Sequence, residues 1–524
     1  MAETTHMLLF TFLCVLLVAI LLKLKLRKTL NSNRINLPPG PWAVPVIGSM
    51  HCLLGSLPHH ALRRLAGRYG PVMLLRVGHV RMLVLSSPEA AREVLKTHDA
   101  VFATRPLSPT MDIATYGGKG PALSPYGRRW KELRKICATE LLSPRRVRSF
   151  RPIREAEAAR LVRSVADASR TSPLVNVSEA VATMMNDVTM MTAWGARCPQ
   201  QDEYLEELDK VVKLVAGFNL VDLFPDSRLA RALSGGPLRA VQESHERIHR
   251  IMDAVIQDHL KAMDLRGDVA DGDDDVGEAP RTRDDDLLYT LLRLQKDGGL
   301  GIALTTEIIS ATMFDMLAGG SETTTTTVTW AMSELMRSPD AMQRAQLEVR
   351  QAMEGKSTVT EPDIGGSLHY LQLVIKETLR LHPPFPLLLP RLATEPCKIM
   401  GYDVPRGTMA MVNVWAISRN ERCWKNAEGF EPERFEGDDH GIDYNGTDFR
   451  FLPGGSGRRM CPGMMFAQHN IEIALASLLY HFDWELPGGE NQQQLDMTES
   501  GGVTASRRTD LWLKATPFAA TPGS

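Results

Sequence analysis

A chain of 524 residues, 44% hydrophobic and 23% charged, has the composition of a folded globular protein and the length for two or three domains or one large core. With 60 Lys and Arg against 62 Asp and Glu, the net charge of −2 argues against nucleic acid as the main partner. Seven cysteines, odd in number and never spaced CxxC, argue against a disulfide scaffold and paired zinc ligands, and fit a reducing compartment.

Residues 7 to 22, MLLFTFLCVLLVAILL, are continuously apolar. As a helix they span about 24 Å, slightly less than a hydrocarbon core of about 30 Å, and the cations that follow (Lys23, Lys25, Arg27, Lys28) snorkel to extend the reach. Glu3 precedes the run and the cations follow it, the reverse of a cleaved signal peptide. The expectation is an N-terminal membrane anchor at 1–22, a single transmembrane helix, with the body of the chain on the cytosolic side. Residues 23–41, basic and then Pro-rich at Leu37-Pro38-Pro39-Gly40-Pro41, read as a linker that no helix crosses. Residues 42–524 form the body. Period-2 apolar patterns at Val72–Val77 and Arg81–Leu85 predict a hairpin. Helical spacing then dominates, as in Pro152–Ala168, Leu238–Met263 and Thr305–Arg337, and strand-like pieces return at Lys398–Met400 and Met409–Val414. Helix-rich with small sheets is an α+β class, and no internal repeat is present. The acidic stretch Gly267–Asp286 alternates Asp271, Asp273 and Asp275 as a calcium loop does. It has Val276 where such a loop needs Gly and Thr282 where it needs Glu, so it reads as a solvated loop between helices.

In Arg128-Arg129-Trp130-Lys131-Glu132-Leu133-Arg134-Lys135, helical spacing puts Trp130 and Arg134 on one face and Arg128, Lys131 and Lys135 on a neighbouring cationic stripe. Gly319-Gly320-Ser321-Glu322-Thr323-Thr324 interrupts the helical stretch Thr305–Arg337. Two glycines and a run of hydroxyls loosen the i→i−4 ladder. An acid beside a hydroxyl, Glu322-Thr323, is what a proton relay requires, although on these residues alone a kink or cap serves equally well. Glu377 and Arg380 share a helical face at i,i+3, and FEPERF at 430–435 carries Arg434; taken singly, both are ordinary. The sharpest signal is PGGSGRRMCPG, Pro453–Gly463. Its glycines let backbone amides approach a sulfur, Arg458 and Arg459 add positive charge, and helical spacing from Ala467 to Leu479 sets Cys461 just ahead of a helix N-terminus. A thiolate held this way suits haem iron. The segment has neither GxxxxGK[ST] nor GxSxG, which removes the P-loop and nucleophile-elbow readings.

The order PPGP, WxxxR, GGxETT, ExxR, PxRF and glycine-arginine-cysteine loop, spread over residues 37 to 515, resembles a microsomal cytochrome P450, in particular the plant 71-clan enzymes. The resemblance implies the mostly α-helical cytochrome P450 fold with small β-sheets, and haem b (iron-protoporphyrin IX) with Cys461 as its proximal iron ligand. It implies Trp130, Arg134, Arg391 and Arg459 on the haem propionates, where guanidinium forks and an indole N–H match carboxylates. It implies Glu322 and Thr323 as the pair that delivers protons to bound dioxygen, and Glu377, Arg380 and Arg434 as a buried structural triad behind the haem. The reaction implied inserts one atom of O2 into a small hydrophobic substrate, a plant-type specialised metabolite with a terpenoid favoured. Electrons would come from NADPH through NADPH-cytochrome P450 reductase at the endoplasmic reticulum membrane, with lipid contacts through the N-terminal helix. Family analogy places substrate contacts in Ser108–Leu123, Leu214–Leu223, Thr312–Thr323, Pro383–Leu389 and Gly501–Thr504, and reductase docking on the stripe of Arg128, Lys131 and Lys135. Competing readings are a haem-thiolate isomerase or dehydratase, against which the intact Glu322-Thr323 pair speaks, and a non-catalytic haem-binding protein, for which only Gly454 speaks. At that position, seven residues before the cysteine, the family usually carries Phe, whose ring shields the sulfur; Phe451 is the neighbouring aromatic available to fill the gap.

Overall fold

The computed structural model of the chain describes residues 35–216, 219–267, 286–436, 441–489 and 494–518. The apolar run at 7–22 and nearly all of the acidic stretch lie outside them, and among the described residues no helix is long and apolar enough to cross a membrane. Helix α1 (Pro58–Tyr69) opens on a proline, whose missing N–H goes unnoticed in a first turn. Strands β1 (Val72–Val77) and β2 (Val80–Leu85) form the expected hairpin, in register from Val72↔Leu85 to Val77↔Val80. The long helices come next: α2 (Arg128–Ile136), α3 (Arg151–Thr171), then, after the two-residue strand β3 (Val175–Asn176), α4 (Val177–Trp194), α5 (Gln201–Ala216), α6 (Gly235–Gly267), α7 (Thr306–Gly320), α8 (Glu322–Arg337) and α9 (His369–Leu381). Four short strands follow, β4 (Arg391–Leu392), β5 (Cys397–Ile399), β6 (Tyr402–Val404) and β7 (Met409–Val412). Helix α10 (Met464–His481) and the pair β8 (Phe482–Glu485) and β9 (Trp512–Pro517) complete the order.

Helices α3, α4, α8 and α10 close a ring, each packed on the next. Val165, Met185, Val188, Leu335, Leu475 and Leu478 are buried where they meet. Helix α10 is buried on every side from Asn470 to His481, as a helix without a polar face must be when it runs through the core. The larger sheet has the order β1-β2-β7-β4, with β7 parallel to β2 and antiparallel to β4. The predicted strand Met409–Val414 stops at Val412. Asn413 ends it, because its side-chain oxygen accepts the Ala416 N–H at 3.0 Å and caps the helical turn Val414–Ile417.

The end of the Pro-rich segment is part of the fold rather than a free spacer. Pro39 accepts the Leu74 N–H at 2.8 Å, and Asn36 donates its N–H to Asp403 Oδ2 at 2.8 Å while accepting the Asp403 N–H at 2.7 Å. A Cβ at Gly40 would lie 2.0 Å from the Leu74 carbonyl oxygen, so only glycine lets this stretch lie along β1. Asn36, Pro39 and Gly40, within the expected linker, thus pack on the body.

Candidate active site

A cavity of about 1850 Å³ of empty space, mouth included, lies between the α7–α8 break, helix α2 and the loop 453–463. Its floor is the cysteine loop. Positive φ at Gly455 (71°) and Gly457 (71°) requires glycine, and a Cβ at Gly457 would lie 2.2 Å from the Leu95 carbonyl oxygen. The Arg458 N–H donates to Asp99 Oδ2 at 2.9 Å, the Ser456 hydroxyl to Gly446 O at 2.6 Å, and the Cys461 N–H to Gly454 O at 2.9 Å. Helix α10 starts at Met464, three residues earlier than its spacing predicts, so Cys461 stands close to its first turn. Burial pushes the Cys461 thiol up, against a Gly463 N–H and the positive charge of Arg134. A sulfur in that setting takes the thiolate form when a cation binds it.

Guanidiniums gather along one side of the same cavity. Arg105, Arg134, Arg391 and Arg459 all line it, with Trp130 between them, its ring 4.4 Å from the Arg459 guanidinium carbon. Arg391 pairs with Asp99 at 3.0 Å. Arg459 instead donates to backbone carbonyls, to Ala103 O at 2.6 Å, to Pro121 and Ala122 and, in a short contact, to Ser124 O, and the Trp130 indole donates to Pro121 O at 3.2 Å. Arg105 donates to Leu389 O and Pro390 O, and its buried Nε has no acceptor. Burial, with Arg391 and Arg134 adding, pushes Arg459 down to about 9, and Arg105 is lowered by burial and then by Arg391 and Arg459. Buried positive charge held by carbonyls rather than carboxylates calls for an anion. A cysteine open to the cavity, this cationic edge and apolar walls that include Ile375, Leu379, Leu388 and Ile471 fit haem b. The sequence reading missed Arg105; its only signal there is an arginine before Pro106, and its acceptors come from almost three hundred residues away.

The opposite wall is the break between α7 and α8. Ser321 stays in the right-handed helical region with a stretched geometry (φ −95°, ψ −60°), and a Cβ at Gly320 would lie 2.8 Å from Thr189 Cγ2, so glycine lets α4 close on the break. Thr323 and Thr324 donate their hydroxyls back to Gly319 O and Gly320 O, each at 2.8 Å, satisfying carbonyls that a bent ladder exposes. Thr323 lines the cavity; Glu322 does not. The Glu322 carboxyl is raised by burial, a Thr504 hydrogen bond opposing, and Asp209 and Lys213 of α5 are its charged neighbours. One half-buried acid does line the cavity, Asp315, whose carboxyl accepts the Ala122 N–H at 2.8 Å and which desolvation pushes up to about 7. The sequence reading missed it too, although an acid inside the apolar run Thr312–Leu317 was its visible signal.

Away from the cavity lining, Glu377 takes two bonds from Arg380 (2.7 and 2.8 Å) and one from Arg434 Nε (2.9 Å). Arg380 also donates to Ser418 O, Ala427 O and Gly429 O, tying α9 to residues 418–434, and neither Glu377 nor Arg380 has any exposed surface. Of the five expected substrate stretches, three reach the cavity, through Pro121 and Ala122, Asp315 to Thr323, and Pro384 to Leu389. The described parts of Leu214–Leu223, and Gly501–Thr504, do not: Leu223 packs with Leu62, Met73 and Val84 against the hairpin, and Gly501 lies against Leu57.

A family model described as Cytochrome P450 matches residues 38–512. The chain is 45% identical over 501 residues to zealexin A1 synthase of Zea mays, covering 95% of this chain and 96% of that relative. It is 46% identical to dolabradiene monooxygenase of Zea mays (95% and 96% covered) and 44% identical to premnaspirodiene oxygenase of Hyoscyamus muticus (96% and 97% covered). Among solved structures, a zebra fish cytochrome P450 with abiraterone superposes with a TM-score of 0.72 at 24% identity, covering 88% of this chain and 99% of that one, and so shows the fold.

Proposed function

The chain belongs to the cytochrome P450 family, as a haem-dependent monooxygenase of plant specialised metabolism, and from that premise we propose which of its residues do the work, on what substrate and with which partners. The observation that carries the reading is one apolar cavity lined by Cys461, by Thr323 and by an edge of guanidiniums held mostly by backbone carbonyls. Bound haem supplies dioxygen activation: substrate C–H, O2, NADPH and a proton become alcohol, water and NADP+. Cys461 would hold the iron as thiolate. Trp130, Arg134, Arg391 and Arg459, joined by Arg105, would hold the propionates. The Thr323 hydroxyl, now donating to Gly319 O, turns to present a proton inside the cavity. Glu322, next to it in the chain but outside the lining, refills it from the α5 side. Glu377, Arg380 and Arg434 hold the segment that leads to the cysteine loop.

The substrate is a small apolar terpenoid. The walls offer Phe385, Leu388, Leu389 and Met316 with few hydrogen-bonding groups, and relatives named for dolabradiene and premnaspirodiene share close to half of this sequence. NADPH-cytochrome P450 reductase supplies the electrons, and residues 1–22 anchor the body, residues 42–524 with the docked 36–41, to the cytosolic face of the endoplasmic reticulum membrane. Microsomes holding the chain and a reductase, given a terpenoid panel, NADPH and isotope-labelled dioxygen, test the reading. One labelled atom per product is expected, with Thr323→Ala consuming NADPH at a similar rate but yielding less product. Product formed without NADPH or without label would overturn it in favour of a haem-thiolate isomerase.

A further inference from the structure

Gly454 leaves the cysteine loop without a side chain seven residues before Cys461. Phe451 does not fill the place: it is fully buried in an aromatic group with Phe435 and Tyr444, ring centroids 5.5 and 5.9 Å away, and does not line the cavity. Another residue does. A Cβ built on Gly454 would lie 2.5 Å from Met464 Sδ, 2.9 Å from Met464 Cγ and 3.4 Å from Cys461 Cβ. The volume a side chain at 454 would need is thus occupied by the Met464 thioether, directly beside the cysteine. Met464 is the first residue of α10 and lines the same cavity as Cys461, so its backbone is fixed while the side chain reaches into the loop. A thioether is apolar, polarizable and unbranched, and it fills an irregular gap against sulfur without competing for the amides that stabilise it.

We infer that Met464 is the positioning residue for the Cys461 sulfur, supplying from α10 the packing that the loop lacks at Gly454. The inference rests on reading Cys461 as the haem ligand. The glycine and the methionine then form one unit. With Met464 in place a bulky residue at 454 collides with its thioether, and with Gly454 in place the loss of Met464 opens the sulfur's flank to water.

Haem-loaded full-length Met464→Ala, Met464→Leu, Gly454→Phe and the double variant Gly454→Phe/Met464→Ala test this. The readouts are the rate at which the reduced, carbon-monoxide-bound protein loses its thiolate-type absorption, and the ferric/ferrous midpoint potential. Met464→Ala should speed that loss about tenfold, Met464→Leu far less, and Gly454→Phe alone should also speed it through overpacking. The double variant should return close to the parent in rate and potential, because the ring takes the vacated space. An unchanged rate in Met464→Ala, or a double variant that simply adds the two single effects, overturns the inference. If the parent protein itself shows no thiolate-type absorption, the ligand reading fails instead. The contact is then judged from thermal unfolding of the same four proteins, where coupling between 454 and 464 supports it and additivity refutes it.

Discussion

Asp315 does not behave as an ordinary carboxylate. Its carboxyl lies on the cavity wall, half-buried, and desolvation lifts its pKa from 3.8 to about 7 despite the Ala122 N–H and the charge of Arg459. Between pH about 4 and 7 the unfolded chain has released this proton while the folded chain keeps it, so this residue's contribution to stability falls as pH rises through that window and levels off above it. Thermal unfolding followed from pH 4 to 8 should show a shallower fall with pH for Asp315→Asn than for the parent; superimposable profiles would place the ionised carboxylate elsewhere. The contrast with Cys461 shows what a sequence makes visible. The glycines, arginines and helix start around Cys461 are contiguous, so its chemistry could be read locally. Arg105 and Asp315 owe theirs to Leu389, Pro390 and Ala122, which only the fold brings near. The same reason misplaced the filling of the Gly454 gap. Phe451 is close in sequence, but Met464 is close in space.

Among the elements, α2 separates its two jobs by face. Trp130 and Arg134 line the cavity, whereas Arg128, Lys131 and Lys135 are exposed, with Lys131 Nζ 5.3 Å from the Tyr126 ring centroid. An exposed cationic stripe on a helix that borders the haem cavity suits an acidic electron donor, and complementary charge of this kind chiefly raises association rate and is screened by salt. Reversing Lys131 and Lys135 to Glu should slow reductase-driven turnover, most at low ionic strength, while peroxide-driven turnover changes little; equal losses in both assays would mean damage to the cavity rather than to docking. The two faces were legible because 3.6-residue spacing needs no tertiary knowledge. The continuation of α2 into the wider-wound turn Cys137–Leu141 was not, since nothing in CATEL itself demands it. The α7–α8 break was legible for the opposite reason: paired glycines and clustered hydroxyls carry their own signal, although the approach of Thr189 that makes Gly320 necessary does not.

Across the whole molecule, the ordered set of weak motifs carried more than any one of them, and the buried network of Glu377 shows why. ExxR alone looks like an exposed helical pair, yet here the carboxylate serves Arg380, Arg434 and the Glu431 N–H at once, with Arg380 and Glu377 fully enclosed. Glu377→Gln leaves the buried Arg380 guanidinium without its anion and Arg434 with Glu431 alone, and should cost about 3–5 kcal/mol of stability, seen as a lower midpoint in chemical denaturation and faster haem loss; a shift below about 1 kcal/mol would mean that the network is solvated in solution. The docking of Asn36 and Pro39 onto the sheets and the packing of Leu223 against the hairpin stayed invisible because each depends on partners dozens to hundreds of residues away. Haem held by the Cys461 thiolate is the claim on which every proposed role depends. The absorption spectrum of the reduced, carbon-monoxide-bound protein tests it most directly, compared between the parent chain and Cys461→Ser. Thiolate-type absorption is predicted in the parent and its complete loss in Cys461→Ser, because a serine oxygen is a far poorer donor to haem iron; a Cys461→Ser protein that keeps both that absorption and its NADPH-dependent activity would contradict it.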